Sequence, residues 1–281
     1  MKTVLVVANE TLGGRAVMEK VKEKAAAAAD GLRVVVCVPR TNPRQGNIIY
    51  DEAVFYAAQV RIDLARKILR EEGIDAIGEV GDPDPYTATM DAIAEHNPDE
   101  IVISTYPLAS SGWLRRDLVE RIGEATDIPV EHVVVDLDEE GVPFGVTLAV
   151  ANRTLASPQF LDALKSRATE PERHVFIFVV PQEGGQGIAA RQARARLTQV
   201  IDRARAAGLI CAGMIADPDP FTAVMNAVQF FRVDDIVIST LPATRSGWLR
   251  ADLIERVRKV TNKPVEHIET AERSPSAVNA A

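Results

Sequence analysis

Apolar and polar positions alternate between two kinds of segment along most of the chain. Short apolar runs such as Thr3–Ala8, Arg33–Val38 and Glu100–Thr105 are separated by longer segments in which apolar residues recur at helical spacing. This alternation is typical of βαβ units, in which parallel strands form a sheet covered by helices on both faces. The pattern therefore predicts an α/β fold with a mainly aliphatic core, since aromatic residues make up only 5% of the chain.

The first half of the chain contains five predicted strands. They are Thr3–Ala8, Arg33–Val38, Asp75–Val80, Glu100–Thr105 and Val130–Asp136. The predicted helices between and after them are Gly13–Ala29, Tyr50–Glu72, Asp84–His96 and Trp113–Thr126. An N-cap residue followed by proline at the first helical position is expected at Asp84-Pro85, Ser157-Pro158 and Asp219-Pro220.

The second half of the chain repeats the first. Residues 82–132 align without a gap with residues 217–267, and more than half of the aligned positions are identical. The match extends forward, where Asn9 aligns with Asn152 at a slightly larger offset. Self-similarity over this length indicates a duplicated domain rather than a short-period solenoid. We predict one domain at 1–138, an acidic turn-rich linker, a second domain at 144–270 and a disordered tail at 271–281.

Composition and charge exclude several classes of protein. The net charge of −8 argues against a general nucleic-acid binder, which needs a basic face to neutralise phosphates. Cys37 and Cys211 lie in apolar surroundings without metal-type spacing, so neither a disulfide nor a zinc site is expected. The apolar run after Met1 is too short for a signal peptide or a membrane span. We expect a cytoplasmic protein with no membrane or nucleic-acid partner.

Ligands of open parallel sheets bind beyond the carboxyl ends of the strands, where the strand order reverses. The loops after the first, second and fourth predicted strands offer such ends, and the fourth, 104–116, is rich in hydroxyl groups and arginine. Backbone N–H groups there, with hydroxyl and guanidinium groups, can hold a phosphate. The candidate ligand-binding residues are Asn9, Thr105, Ser110, Ser111, Gly112 and Arg115 in the first copy and Asn152, Thr240, Arg245, Ser246, Gly247 and Arg250 in the second.

Other residues near these loops have two readings each. Trp113 and Trp248 can stack on a base or, as we favour, plug the end of the sheet. The arginines that follow them can bind phosphate or pair with nearby aspartates on a solvated face. His132 and His267 have no nucleophile or acid in a recognisable arrangement, so we interpret them as partly exposed strand residues. We predict no catalytic residue and no metal site.

These motifs resemble those of universal stress proteins. The resemblance is carried by the "GDP" turn at Gly81, by "IVIS" at Ile101 with its following "SSG" turn, and by "VER" at Val119, and it spans both halves. It implies a tandem universal stress protein with two Rossmann-like domains and a non-enzymatic role in stress response or regulation. It also implies that the fifth strands pair as an intrachain pseudo-dimer, with ATP or AMP as the candidate cofactor.

The sequence departs from the family's nucleotide motif, G-x2-G-x9-G-[ST]. The spacing is kept, but its positions hold Ser104, Pro107 and Asp117-Leu118 in the first copy, and Ser239, Pro242 and Asp252-Leu253 in the second. Glycine allows close backbone approach and positive φ, whereas proline removes an N–H donor. Where the nucleotide-binding branch places an aspartate after the first strand, this chain has asparagine. These departures argue against tight ATP binding and leave room for an adenine nucleotide or another anionic ligand. The alternatives are a ligand-free partner-binding module and, third, an enzyme with an unrecognised acid/base pair and metal site.

Overall fold

The computed structural model describes residues 1–41, 51–107, 111–113, 117–169, 173–182, 187–243 and 245–270. The chain forms two compact units, unit one (Met1–Pro143) and unit two (Phe144–Ala281). The predicted tail at 271–281 lies outside the described residues. Among the helices that are described, none is both long enough and apolar enough to span a membrane.

Unit one is built on a parallel sheet of five strands. The strands are β1 (Lys2–Val7), β2 (Leu32–Pro39), β3 (Asp75–Gly81), β4 (Glu100–Thr105) and β5 (Val130–Val134). The helices are α1 (Arg15–Ala27), α2 (Asp51–Glu71), α3 (Pro85–His96), α4 (Leu118–Ala125) and α5 (Leu137–Glu140), and a 3-10 turn spans Glu10–Gly13. The strand order is β3-β2-β1-β4-β5, so the order reverses between β1 and β4.

Unit two repeats this topology. Its strands are β6 (Gly145–Val150), β7 (His174–Pro181), β8 (Ile210–Ala216), β9 (Asp235–Thr240) and β10 (Val265–Glu269). Its helices are α6 (Pro158–Ala168), α7 (Ile188–Ala206), α8 (Pro220–Phe230), α9 (Gly247–Arg250) and α10 (Leu253–Val260). The order β10-β9-β6-β7-β8 places the corresponding reversal between β6 and β9. The predicted fold class, two Rossmann-like units with five parallel strands each, is confirmed.

The predicted helix starts follow from local capping. The carboxylate of Asp84 accepts a hydrogen bond from the Thr87 N–H at 3.0 Å, and Asp219 accepts from the Thr222 N–H at 2.9 Å. Ser157 caps α6 in the same way, and each of the three caps is followed by proline at the start of its helix. Proline has no N–H to leave unsatisfied in the first turn, which is why this pair of residues defines a helix start.

The fourth helix of each copy differs from the prediction. Instead of starting at Trp113, α4 starts at Leu118, and in unit two the corresponding region is divided into α9 and α10. The reason is that Asp117 and Asp252 have φ values of 51° and 49°, in the left-handed region. One residue with positive φ cannot continue a right-handed helix, so the apolar pattern extends through a real break. The linker also differs, because residues Leu137–Glu140 form the short helix α5.

The core of unit two is more aromatic than the sequence predicts. Phe160 of α6 and Phe178 of β7 are fully buried, with ring centroids 6.3 Å apart and ring planes at 64°. Phe176 is buried in the same cluster. In unit one the position aligned with Phe178 is Cys37, and the buried cluster around it is built of aliphatic residues. The two copies therefore share a topology but fill their cores differently.

Candidate ligand-binding site

A cleft of about 210 Å³ opens in unit two at the point where the strand order reverses. One wall follows the end of β6, and the other is formed by the end of β9 and the loop that leads into α9. The lining residues are Asn152, Arg153, Thr154, Ser239, Thr240, Leu241, Arg245, Ser246, Gly247 and Trp248. This is the position at which parallel α/β sheets bind ligands, because the loops on the two sides of the reversal diverge and leave a crevice.

The predicted residues of the second copy are mostly brought together in this cleft. Asn152, Thr240, Arg245, Ser246 and Gly247 line it. Arg250 is the last residue of α9, and its side chain lies outside the described part of the structure.

Hydrogen bonds across the reversal hold the floor of the cleft. The Thr154 hydroxyl donates to the carbonyl oxygen of Ser239 at 3.0 Å, which links the segment after β6 to β9. The amide nitrogen of Asn152 donates to the carbonyl oxygen of Pro181 at 2.8 Å. The amide oxygen of Asn152 accepts from the guanidinium of Arg196 on α7. The Asn152 side chain is thereby fixed, and a cationic group lies directly behind it.

Some N–H groups of the loop after β9 donate hydrogen bonds to acceptors within the same loop. The N–H of Ser246 donates to the carbonyl oxygen of Pro242 at 2.9 Å, and its hydroxyl accepts from the N–H of Leu249 at 3.2 Å. In unit one the N–H of Ser111 likewise donates to the carbonyl oxygen of Pro107 at 2.8 Å. These backbone N–H groups are therefore committed within the loop, unlike the free donors that the sequence suggested for a phosphate.

One buried hydroxyl group in the cleft has no protein partner. Ser239 is 1% exposed, and its Oγ has no hydrogen-bond partner among the described residues. In unit one the aligned Ser104 donates its hydroxyl to Thr11 Oγ1 at 2.9 Å. A buried polar atom without a partner costs free energy, so such an atom in a cleft indicates a place for a ligand or water.

The residues at the third position of the motif adopt a backbone conformation that favours glycine. Asp117 and Asp252 stand at that position and adopt positive φ, which glycine adopts without strain. Neither carboxylate caps the helix that follows. Aspartate is one of the few other residue types that tolerate this region. The left-handed conformation at this position is thus common to both copies, and the side chain there is acidic.

The first copy places its described candidates at the equivalent edge of its sheet. Asn9 follows β1 and Thr105 ends β4; both are buried, as is Ser111, whereas Gly112 is exposed. Ser110 and Arg115 lie outside the described residues. Two further side chains meet here, because the hydroxyl of Tyr106 donates to Glu10 Oε2 at 3.2 Å.

Sequence reasoning missed the charged residues that distinguish the two sites. Glu10 of the first copy aligns with Arg153 of the second, and Tyr106 aligns with Leu241. Arg196 aligns with Arg61 on α2; burial lowers the pKa of Arg61, while the negative charge of Glu10 acts to raise it. The signal that could have identified them is the set of aligned positions at which the two copies differ in charge or polarity.

The two tryptophans occupy aligned positions with different surroundings. Trp113 packs against the buried cluster of unit one, as expected for a residue that plugs the end of the sheet. Trp248 lines the cleft of unit two and is half-buried. The stacking reading therefore stays open for Trp248.

The strand histidines bind the threonines of the predicted site. His132 Nε2 lies 2.8 Å from Thr105 Oγ1, and His267 Nε2 lies 2.8 Å from Thr240 Oγ1. Each threonine hydroxyl donates to the carbonyl of the next residue at 2.9 Å, so each imidazole acts as the donor through Nε2–H. Burial lowers the pKa of both histidines.

These two histidines are expected to destabilise the fold in mild acid. Histidine titrates near 6.5 when unfolded and lower when folded, so the unfolded state binds more protons and stability is lost as the pH falls through this window. Replacing both by glutamine, which keeps a donor, is expected to flatten the loss of unfolding free energy between about pH 7 and pH 5. Urea denaturation of both proteins at a series of pH values measures this change in unfolding free energy. An equally steep loss in the double variant would contradict the assignment.

One group of described side chains consists of residue types that commonly bind metal ions, namely glutamate and histidine. Glu79, Glu95 and His96 bring three ligand atoms within 4.8 Å of one another. His96 Nε2 already lies 3.1 Å from Glu79 Oε2. The aligned positions of unit two are Met214, Phe230 and Phe231, so the group belongs to the first copy alone. We interpret it as a paired surface cluster.

Comparison with known proteins gives a likeness of fold. No protein-family model matches the sequence, and no curated protein matches it either. A universal stress protein from Archaeoglobus fulgidus DSM 4304 is similar over 96% of this chain and 97% of its own, at 15% identity and a TM-score of 0.36. A structure with the same family description, from Pseudomonas aeruginosa UCBPP-PA14, covers 96% and 93%, at 14% identity and a TM-score of 0.32. An O-GlcNAc transferase mutant from Thermobaculum terrenum covers 94% of this chain and 57% of its own, at 12% identity and a TM-score of 0.25.

The family that the sequence motifs resemble thus recurs among solved structures. At these identities the likeness concerns the fold alone.

Proposed function

We propose that this chain is a non-enzymatic stress-response or regulatory protein of the universal stress type that binds a phosphate-bearing small molecule in the cleft of unit two. An adenine nucleotide is the first candidate. The observation that carries the proposal is the cleft at the strand reversal, where two exposed arginines, Arg153 and Arg245, flank the buried and unpartnered hydroxyl of Ser239.

The charge of the cleft supports an anionic ligand. The chain as a whole carries a charge of −8, yet the described lining of the cleft contains two arginines and no carboxylate. Guanidinium groups bind phosphate through paired N–H donors, and such charge-assisted hydrogen bonds are stronger than neutral ones. The side chain of Trp248 adds an aromatic surface to the lining, which suits a ligand that carries a base.

The same lining supports a binding role rather than catalysis. Its described residues include no histidine, cysteine, aspartate or glutamate, which are common general acids and bases, and its hydroxyl groups are those of serine and threonine. Histidines His132 and His267 are engaged by threonines of the sheet. Turnover of a bound nucleotide would need groups that this cleft does not offer among its described residues.

Titration calorimetry of the purified protein with ATP, ADP, AMP and inorganic phosphate, each with and without Mg²⁺, tests the proposal. We expect saturable binding of at least one phosphate-bearing compound, weakened by Arg245→Ala. Arg203→Ala, at an exposed position near the C-terminal end of α7, provides the matched control and is expected to bind as the unmodified chain does. The absence of binding by all four compounds would contradict the proposal.

A partner-binding module is the second candidate. The strand β5 forms one edge of the sheet of unit one, and Val134 on it is 47% exposed. The strand β10 forms the corresponding edge in unit two. Pairing of the two edges within one chain stays a prediction, which cysteine crosslinking between β5 and β10 would test.

A further inference from the structure

We propose that the two copies differ in the ligands they accept. Unit two binds the phosphate-bearing ligand, whereas in unit one the carboxylate of Glu10 takes the place of the ligand's anion and excludes it. The inference rests on the proposed function of the cleft in unit two. It predicts one phosphate-bearing ligand per chain, although the fold is present twice.

The aligned positions of the two sites show a reversal of charge. Arg153 in unit two corresponds to Glu10 in unit one, directly after the first strand of each sheet. Arg245 corresponds to Ser110, which lies outside the described residues but is an uncharged residue in the sequence. Arg196 and its counterpart Arg61 are shared. At these three aligned pairs, unit two has three arginines, and unit one has one arginine, one serine and one glutamate.

The geometry of unit one fits an internal anion. Glu10 follows β1 and Tyr106 follows β4, so the 3.2 Å hydrogen bond from the Tyr106 hydroxyl to Glu10 Oε2 closes across the reversal of strand order. Glu10 is half-buried, and its charge acts on Arg61. A phosphate that entered here would meet the carboxylate of Glu10, which already accepts the hydrogen bond from Tyr106 and interacts with the charge of Arg61. Like charges at short distance in a partly buried site repel strongly.

The geometry of unit two lacks this internal anion. Leu241 replaces Tyr106 and offers no side-chain donor, and Arg153 replaces the carboxylate. The buried hydroxyl of Ser239 has no partner among the described residues, whereas its counterpart Ser104 is satisfied by Thr11 within unit one. The buried hydroxyl of Ser104 is thus paired within unit one and that of Ser239 is not, although the buried Asn9 Oδ1 of unit one also has no partner among the described residues. The two sites therefore differ chiefly in the positive charge that lines the cleft of unit two.

The two tryptophans allow each site to be followed separately. The chain contains two, Trp113 beside the site of unit one and Trp248 in the cleft of unit two. Titrating ATP into Trp113→Phe, which keeps Trp248, is expected to change the fluorescence in a saturable way. Titrating ATP into Trp248→Phe is expected to leave the fluorescence of Trp113 unchanged, and calorimetry of the unmodified chain is expected to give one site per chain.

Removing the internal anion is the decisive variant. In the Trp248→Phe background, Glu10→Gln is expected to make Trp113 respond to ATP, and in the unmodified background to add a second site by calorimetry. The control Glu19→Gln removes an exposed carboxylate from α1 and is expected to add nothing. Circular dichroism and retained binding by unit two establish that the variant is folded.

The outcomes separate this inference from the proposed function. Two sites in the unmodified chain would overturn the inference and leave the proposed function standing. A response of Trp113 alone would place the ligand in unit one and would overturn both. A folded Glu10→Gln variant that gains no site would overturn the role of Glu10. No binding by either unit would overturn the proposed function, and the inference with it.

Discussion

Phe178→Ala is expected to lower the free energy of unfolding by about 3–5 kcal/mol, the largest effect on stability that we predict. Phe178 lies on β7, in the interior of the sheet of unit two, and its side chain is fully buried. It contacts the edge of Phe160, and both belong to the buried cluster under the sheet. Truncation removes apolar burial and the ring contact, and it leaves a cavity that the surrounding strands cannot fill.

Urea denaturation followed by circular dichroism measures this loss. Phe55→Ala makes the same chemical change at a side chain that is 40% exposed and is expected to cost much less. Similar losses for the two variants would contradict the assignment of Phe178 to a close-packed core. A loss confined to Phe178→Ala would support it.

The double variant Arg153→Glu with Arg245→Glu is expected to weaken binding of the phosphate-bearing ligand by about 100-fold or more. A hydrogen bond to a charged group contributes about 1.5–3 kcal/mol, and each 1.4 kcal/mol changes an affinity about tenfold. Both side chains line the cleft, and both are exposed, so the fold does not depend on their burial. Charge reversal adds repulsion to the loss of the two donors.

A matched variant separates local contacts from the overall change of charge. Arg203→Glu with Lys259→Glu alters the net charge equally, at exposed positions near the C-terminal ends of α7 and α10. Those helix ends lie at the edge of the sheet opposite the cleft, because the helices run antiparallel to the strands. Calorimetry at low and moderate salt is expected to show a small effect for this control, since distant surface charges are screened. Equal weakening by the two double variants would exclude a specific role for the cleft arginines.

The fold was predictable because its determinants are local and occur twice. The buried runs of β1 and β6, and the proline behind each cap at Asp84 and Asp219, specify element type from neighbouring residues. The fourth helix was predicted wrongly for an equally local reason. Its apolar spacing continues past Asp117 and Asp252, and a single left-handed residue leaves no trace in a pattern of apolar positions.

The sequence by itself determined the duplication, the α/β class and the loops at which a ligand would bind. The tertiary structure decided which side chains of those loops act together. Glu10 and Tyr106 are separated by 96 positions, and Arg196 of α7 binds Asn152 in the segment after β6. Hydrophobic periodicity reports on neighbours along the chain, whereas these contacts depend on strands that become adjacent only when the sheet assembles around β1 and β6. The difference in charge between the two sites is therefore present in the sequence, but only the fold shows which residues it brings together.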